Sequence, residues 1–354
     1  MEIVDQIRSS CAQVAAEATH VRINGPRIAN YAEELLRLRP ATAGALTAPR
    51  PAAAPDKLTP DAPKTAPQAA RVFPAPSTSE IEFSAAYWLT LDAVNFGSGW
   101  FPTLLKLPGM TGYRTIKAGI DRRFRDDGPW SSAQLQRITR AELSTLMMQE
   151  PDHPLIEHFK CSLRDLGARI EQDFQGSFAA LPESADGSAV RLVQILSEWD
   201  CYRDSSTYQG RVIPFLKRAQ LVACDLRRFP DFPGATQTYS VSEPWHDLEK
   251  LTMFADNLVP HVLRLDGVLE FEPALVQRIE AGELITHDSP EEIEYRACAL
   301  HAVELIAAAA RNIKSEFQSG LRWCPAVIDE LLWNRGQQAD YKAIPRPRSR
   351  TTAY

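Results

Sequence analysis

The sequence predicts a mainly α-helical fold. Apolar residues recur at three- and four-residue spacing through most of the 354 residues, period-two alternation is scarce, and no internal repeat is found. Helix starts are marked as well: Ser289-Pro290-Glu291-Glu292 sets an N-cap serine ahead of proline, with two acids in the first turn. The chain is long enough to bury a substantial core, and 44% hydrophobic with 24% charged residues is the balance of a soluble globular protein.

In chain order, residues 1–40 read as an N-terminal helical pair. Ile3, Ile7, Cys11 and Val14 share one face, Ile28, Tyr31, Leu35 and Leu36 another, and Gly25-Pro26 separates the runs. Residues 41–77 read as a flexible linker or long loop, because about half of residues 41–72 are Ala or Pro, with too little bulky apolar area to offset the entropy of ordering. The main helical domain spans residues 78–354. It opens on the aromatic run Phe83, Tyr87, Trp88 and Leu91 and continues into Asn95-Phe96-Gly97-Ser98-Gly99-Trp100. Glycine on both sides of Ser98 lets the backbone approach something flat, and Asn95 offers a donor and an acceptor to an amide-like or purine edge. A core turn packed by aromatics accounts for the same residues. A phosphate loop does not fit, since no Lys-Ser/Thr follows and no strand precedes.

Pro108–Tyr113 reads as a tight loop and Thr115–Arg125 as a basic amphipathic helix. Further helices are expected over residues 133–149, from His153-Pro154 through Ile170, and over Val190–Trp199. Lys217 and Arg218 lie on a helical run beside an apolar face, either as a snorkelled pair or as a phosphate clamp. Helices are also expected over Leu269–Ile285, ending near Gly282, and over Ile293–Asn312, which carries Glu294, Arg296 and Glu304 as an ion-pair network or as substrate-orienting groups. The chain ends on the basic run Ile344–Tyr354.

The stretch Trp245–Arg264 is the most informative. Leu248, Leu251, Ala255 and Leu258 keep the spacing of one buried helix face, with Ser242 and Pro244 as N-cap and first-turn residue. Pro260 disfavours helical angles at Val259, so one helix is expected to end near Asn257 and a second to run from Pro260 to Gly267. Asp256 then lies at their junction. A carboxylate there is either a plain cap of the second helix or a partly dehydrated group aimed at a ligand.

Composition narrows the function classes. The net charge of −6 speaks against a broad nucleic-acid face and stable nucleic-acid binding. Six scattered cysteines, with no Cys-x-x-Cys and no His at zinc spacing, read as core thiols in a reducing compartment and supply no metal set. No signal peptide and no run of membrane-spanning length is found, so a cytoplasmic protein without a membrane partner is expected.

The run Leu251-Thr252-Met253-Phe254-Ala255-Asp256, with Val259-Pro260 and Leu265-Asp266-Gly267-Val268-Leu269, resembles the signature of the queuosine salvage family, whose members are queuosine 5′-phosphate N-glycosidases. The resemblance runs from about Ser79 to Tyr354 and takes in Asn95-Phe96, the Lys217-Arg218-Ala219-Gln220 core, the Glu294-x-Arg296 spacing, and a tail with paired arginines and an aromatic end. Gly97-Ser98-Gly99 and Pro347, where members often carry His, depart from the pattern. More loosely, the Asp256 segment is similar to that of helix-hairpin-helix DNA glycosylases, which implies a helical glycosylase-like architecture with residues 78–354 as the catalytic domain. The resemblance implies hydrolysis of the N-glycosidic bond of queuosine 5′-monophosphate, releasing queuine for salvage into tRNA. A DNA-base glycosylase, which tight duplex binding would reveal, and a nucleoside-binding protein that returns its ligand intact are the alternatives. Asp256 is then the catalytic carboxylate and Lys217 the phosphate contact. Asn95, Phe96, Trp100, Trp245, His246, Phe254, Asn257 and Tyr354 are further substrate-binding candidates, the aromatic ones as stacking walls or as plain core. The implied partner is a small nucleotide, with no cofactor and no metal.

Overall fold

The structure, a computed structural model, describes residues 1–38, 78–227, 245–313 and 323–354. The linker expected over 41–77 and the helix start expected at Ser242 and Pro244 lie outside the described residues. Among those described, the fold is mainly α, with fifteen α-helices and four short strands in two two-stranded sheets.

Helix α1 (Ile3–Glu17) buries Ile3, Val4, Ile7, Cys11 and Val14, the stripe its spacing predicts. A short strand, β1 (Val21–Ile23), intervenes before α2 (Gly25–Leu38). Helix α3 (Thr78–Ala93) is enclosed enough to bury Ser84, Thr90 and Asp92 along with its apolar residues. Helix α4 (Gly112–Asp127) begins at Thr111, whose hydroxyl accepts the Arg114 N–H at 3.3 Å. The single helix expected over 133–149 is two, α5 (Ser132–Arg137) and α6 (Arg140–Met147). Ser131 with Gln134, and Thr139 with Glu142, each complete a reciprocal capping box, so a second start is written inside the apolar run.

Helix α7 (Pro154–Phe174) follows a His153 cap and is succeeded by α8 (Ala180–Ser184) and α9 (Ala189–Ser197). Strands β2 (Ser205–Tyr208) and β3 (Arg211–Pro214) form a hairpin turning on Gln209 and Gly210, both at positive φ. Then come α10 (Lys217–Asp225), α11 (Leu258–Leu265), β4 (Leu269–Phe271), α12 (Pro273–Glu280), α13 (Pro290–Asn312), α14 (Pro325–Arg335) and α15 (Ala339–Lys342).

Two expectations fail between α10 and α12. No helix runs to Asn257: Leu248–Lys250 is one 3₁₀ turn and residues 251–256 are irregular. Leu251, Thr252, Met253, Phe254 and Ala255 are all buried, so their apolar character reflects enclosure on every side rather than one helical face. Likewise Leu269–Phe271 is a strand paired antiparallel with β1, and the helix expected from Leu269 starts at Pro273.

Helix α13 is the axis of the molecule. It packs against α1, α2, α11 and α14, and most of its residues from Glu292 to Ala310 are buried. The expected ion-pair network along it takes another form. Arg296 pairs with Asp204 and Glu304 with Arg8, while Glu294 accepts the backbone N–H groups of Thr19 (2.9 Å), His20 (2.6 Å) and Val21 (3.1 Å).

Candidate active site

The buried irregular segment 251–256 survives because side chains take its backbone groups. The Gln220 amide oxygen accepts the Thr252 N–H (2.8 Å) and Asp329 accepts the Phe254 N–H (3.1 Å), while Arg296 donates to the Ala255 carbonyl (3.0 Å). Asp256 follows, half-buried, and its Oδ1 accepts the N–H groups of Leu258 (2.8 Å) and Val259 (3.1 Å). Those are the first two orphan donors of α11. The third position is Pro260, which has no N–H to satisfy, so the start of the helix is closed by one carboxylate oxygen. α11 therefore begins two residues before the proline rather than at it.

Asp256 lines a cavity of about 1490 Å³. Asn95, Phe96, Lys217, Phe254, Asn257 and Tyr354 line it as well. Asn95 donates its amide to Asp92 (3.2 Å), and its carbonyl receives the Lys217 ammonium (3.2 Å). Phe96 lies 5.0 Å from the Arg218 guanidinium, whose own donors reach the Ala93 carbonyl at 3.0 Å. Asn257 ties two strips of chain together, donating to Ser98 Oγ (3.0 Å) and to the Pro347 carbonyl (2.7 Å).

The remaining three candidates lie elsewhere. Trp245 is buried and donates its indole N–H to the Ala223 carbonyl at 2.7 Å. Trp100 packs on the His158 ring at 5.2 Å. His246 is exposed beside Gly187. Its neighbour Asp247 is spent on the start of α9, accepting the Ala189 N–H at 2.7 Å. None of the three lines the cavity.

The C-terminal strip forms much of the wall. Gly97 donates its N–H to the Tyr354 carbonyl at 2.8 Å, and a Cβ on Gly99 would meet the Ser349 carbonyl oxygen at 2.2 Å. Gly99 thus admits the backbone of the tail, while Ser98 beside it lines the cavity. The Tyr354 hydroxyl joins Glu292 and Tyr295, each at 2.6 Å, and its ring lies 4.6 Å from the Arg296 guanidinium. Glu292 also holds His287 Nδ1 (2.7 Å), while His287 Nε2 meets the Thr351 hydroxyl (3.1 Å). Ligand-type atoms of His287, Asp288 and Glu292 come together here, but those of His287 and Glu292 are engaged with each other and with the tail.

One buried ion pair positions several of these groups. Arg296 meets both oxygens of Asp204 (2.7 and 2.9 Å) while holding Ala255, next to Asp256; Asp204 Oδ2 accepts the Lys217 N–H (3.0 Å). Burial acts against the Arg296 charge, yet Asp204 and Glu292 outweigh it and raise its pKa. His261, also on the wall, is driven down to about 4 by burial and stays neutral at physiological pH. Sequence reasoning missed Arg346, Lys342 and Arg114, which line the same cavity. The tail arginines were visible, but nothing in their spacing said that the tail folds back on the site.

The family described as queuosine salvage protein matches residues 75–354. The queuosine 5′-phosphate N-glycosylase/hydrolase of Sphaerobacter thermophilus is 34% identical over 278 residues, covering 77% of this chain and 82% of the relative. The proteins of the same name from Nematostella vectensis (31% over 310 residues; 78% and 83%) and Dictyostelium discoideum (33% over 277 residues; 77% and 79%) are similar over a comparable span. With a family match over residues 75–354 and relatives above 30% identity, the chain belongs to the queuosine salvage protein family.

Proposed function

We propose that the protein hydrolyses the N-glycosidic bond of queuosine 5′-monophosphate, releasing queuine, with Asp256 as the catalytic carboxylate. The observation that carries this reading is a half-buried carboxylate facing a large cavity, one oxygen pinned by two backbone N–H groups and the other without a protein hydrogen bond among the described residues. As the C1′–N bond breaks, its electron pair leaves with the base and positive charge grows on the ribose. A fixed carboxylate stabilises that charge and orients or deprotonates the attacking water, whose oxygen bonds to C1′ while its proton balances the charge on the departing base. Queuine is a 7-deazapurine with carbon at the ring position where other purines are protonated, so hydrogen bonds to its other heteroatoms must help it leave. Asn95 and the backbone beside Phe96 would serve in that role, with Phe96 and Phe254 as walls for the base, a reading supported by their all lining the cavity.

The same reading keeps the substrate a small nucleotide and the protein in the cytoplasm. Cysteines that are buried in all but one case suit a reducing compartment, and no helix among the described residues is long and apolar enough to cross a membrane. Incubation with queuosine 5′-monophosphate followed by mass spectrometry is expected to show free queuine. Asp256→Asn is expected to lower turnover by about 10²–10³-fold. Intact nucleotide after incubation with the unaltered protein, or undiminished turnover in the variant, would refute the assignment.

A further inference from the structure

We propose that Asp266 is a positioning residue for the site: together with His261 it clips α15 onto α11 and so fixes where the α14–α15 part of the cavity wall stands relative to Asp256. The inference rests on the nucleotide-hydrolase reading above. Asp256 lies at one end of α11 and Asp266 at the other, and Asp266 does not itself line the cavity.

On local grounds this carboxylate is badly placed. The C-terminal end of a helix carries partial negative charge, which repels an acid rather than holding it. The side chain is also only 7% exposed, so water does little to offset that repulsion. What compensates comes from three other helices. Tyr31 on α2 donates its hydroxyl to Oδ2, Tyr341 on α15 donates to Oδ1 at 2.5 Å, and Arg335 at the end of α14 donates to the same oxygen at 3.1 Å. Arg335 and Tyr341 line the cavity, as does Leu35, one turn beyond Tyr31 on α2. The carboxylate thus gathers three pieces of wall onto one helix.

Tyr341 is held at a second point. Its carbonyl lies 3.0 Å from His261 Nε2, and a carbonyl only accepts, so Nε2 carries the proton. Both holding points lie on α11, more than a helical turn apart, so the tyrosine is fixed in direction as well as in place. The end of α14 comes in equally close. A Cβ on Gly336 would meet Leu258 and Val262 of α11 at 2.9 Å, which leaves glycine the side chain that fits. The chain leaving α15 continues as cavity wall through Ile344 and Pro345, so a shift of α15 carries more of the wall with it. A wall fixed before the ligand arrives spares binding the cost of ordering it, and loosening that wall is felt in KM.

The test measures kcat and KM for queuosine 5′-monophosphate in the unaltered protein, Tyr31→Phe, Asp266→Asn, Asp266→Ala and the double variant Tyr31→Phe/Asp266→Ala, each below its unfolding temperature. KM is expected to rise about 3–10-fold in Tyr31→Phe and about 10–100-fold in Asp266→Ala, with kcat changed less than about threefold. Asp266→Asn, which keeps one accepting oxygen, is expected to fall between the unaltered protein and Asp266→Ala. Tyr31→Phe is expected to add nothing in the Asp266→Ala background, because Tyr31 reaches the wall only through that carboxylate. An unchanged KM, a loss confined to kcat, or additive effects in the double variant would overturn the proposal. Should Asp266→Ala not fold, Tyr31→Phe decides alone: its ring remains and its hydroxyl is not on the cavity, so an unchanged KM is fatal. Hydrogen exchange supplies a readout without turnover. The amides of Lys342 and Ala343, bonded to the Gln338 and Ala339 carbonyls, are expected to exchange about tenfold faster in Asp266→Asn while those of α1 keep their rates. If the unaltered protein releases no queuine, the hydrolase reading fails by itself, and unaltered exchange at α15 would separately dismiss the clip.

Discussion

At the scale of single residues, the cap made by Asp256 and the catalytic role proposed for it can be separated by substitution. Its Oδ1 closes the start of α11, and its position on the cavity wall is what the proposed chemistry would use. Asparagine keeps an accepting oxygen and removes the charge, so Asp256→Asn is expected to unfold within a few tenths of a kcal/mol of the unaltered protein while losing turnover. Alanine removes both functions and is expected to cost a further ~0.5–2 kcal/mol of stability. Thermal unfolding beside a turnover assay checks the pair, and equal stability of the two variants would mean that the cap contributes nothing. The plain reading of the sequence, a helix cap, and the functional one therefore describe the same side chain. Neither Trp100 nor Trp245 could be removed from the candidates by inspection, because an aromatic residue near a motif reads alike whether it walls a ligand or fills a core. What separates them is tertiary: the indole N–H of Trp245 is already satisfied by the Ala223 carbonyl.

At the scale of elements, the tail depends on a clasp with pH-dependent strength. Burial alone would lower the His287 pKa, but its hydrogen bond to Glu292 and the Glu292 charge raise it above the usual histidine value. Burial would raise Glu292, yet His287 and Arg296 hold it below the usual carboxylate value. The histidine's contribution is thus complete below its unfolded value of about 6.5 and is lost as pH rises through the elevated folded value. The carboxylate's contribution is complete above its unfolded value of about 4.5 and is lost as pH falls through the depressed one. Between those limits both are charged and the tail is held best. His287→Gln is expected to lower stability near pH 6 by up to about 1 kcal/mol, discounted because the imidazole is partly solvated, and to flatten the decline above neutrality. Unfolding midpoints across pH 5–8 test this, and an unchanged alkaline decline in the variant would contradict it. The clasp, like the stretch 251–256, was illegible in the sequence for one reason. Helical periodicity reports which face is buried, whereas an irregular buried segment is held by distant side chains such as Gln220, Asp329 and Arg296, which no local pattern announces.

At the scale of the whole molecule, the helical class was legible because long amphipathic runs such as α1 and α7 repeat the signal over many turns. Strands β1 and β4, three residues each, are too short to establish a period, and their pairing joins positions 21–23 to 269–271 across most of the chain. That pairing bears on stability. The family match begins at residue 75, yet α1 and α2 lie on α13, and Glu294 on that helix accepts three consecutive N–H groups leading into β1 as well as the Tyr208 hydroxyl at 2.9 Å. A carboxylate that gathers five donors is a joint, since removing it strands the buried Val21 N–H and Tyr208 hydroxyl and releases the half-exposed Thr19 and His20 donors. Glu294→Ala is accordingly expected to cost about 2–4 kcal/mol of global stability, while Glu294→Gln, which keeps one accepting oxygen, costs less. Were residues 1–38 a separate unit, the loss would appear only there, as early exchange of the α1 amides with the rest of the chain protected. The packing on α13 argues for the opposite: denaturant unfolding followed by tryptophan fluorescence, and hydrogen exchange at α1, are expected to move together to lower denaturant in Glu294→Ala. Because the same helix carries Arg296, which holds Ala255 beside Asp256, and Glu292, which holds the tail, loosening that joint is also expected to raise KM before the protein unfolds.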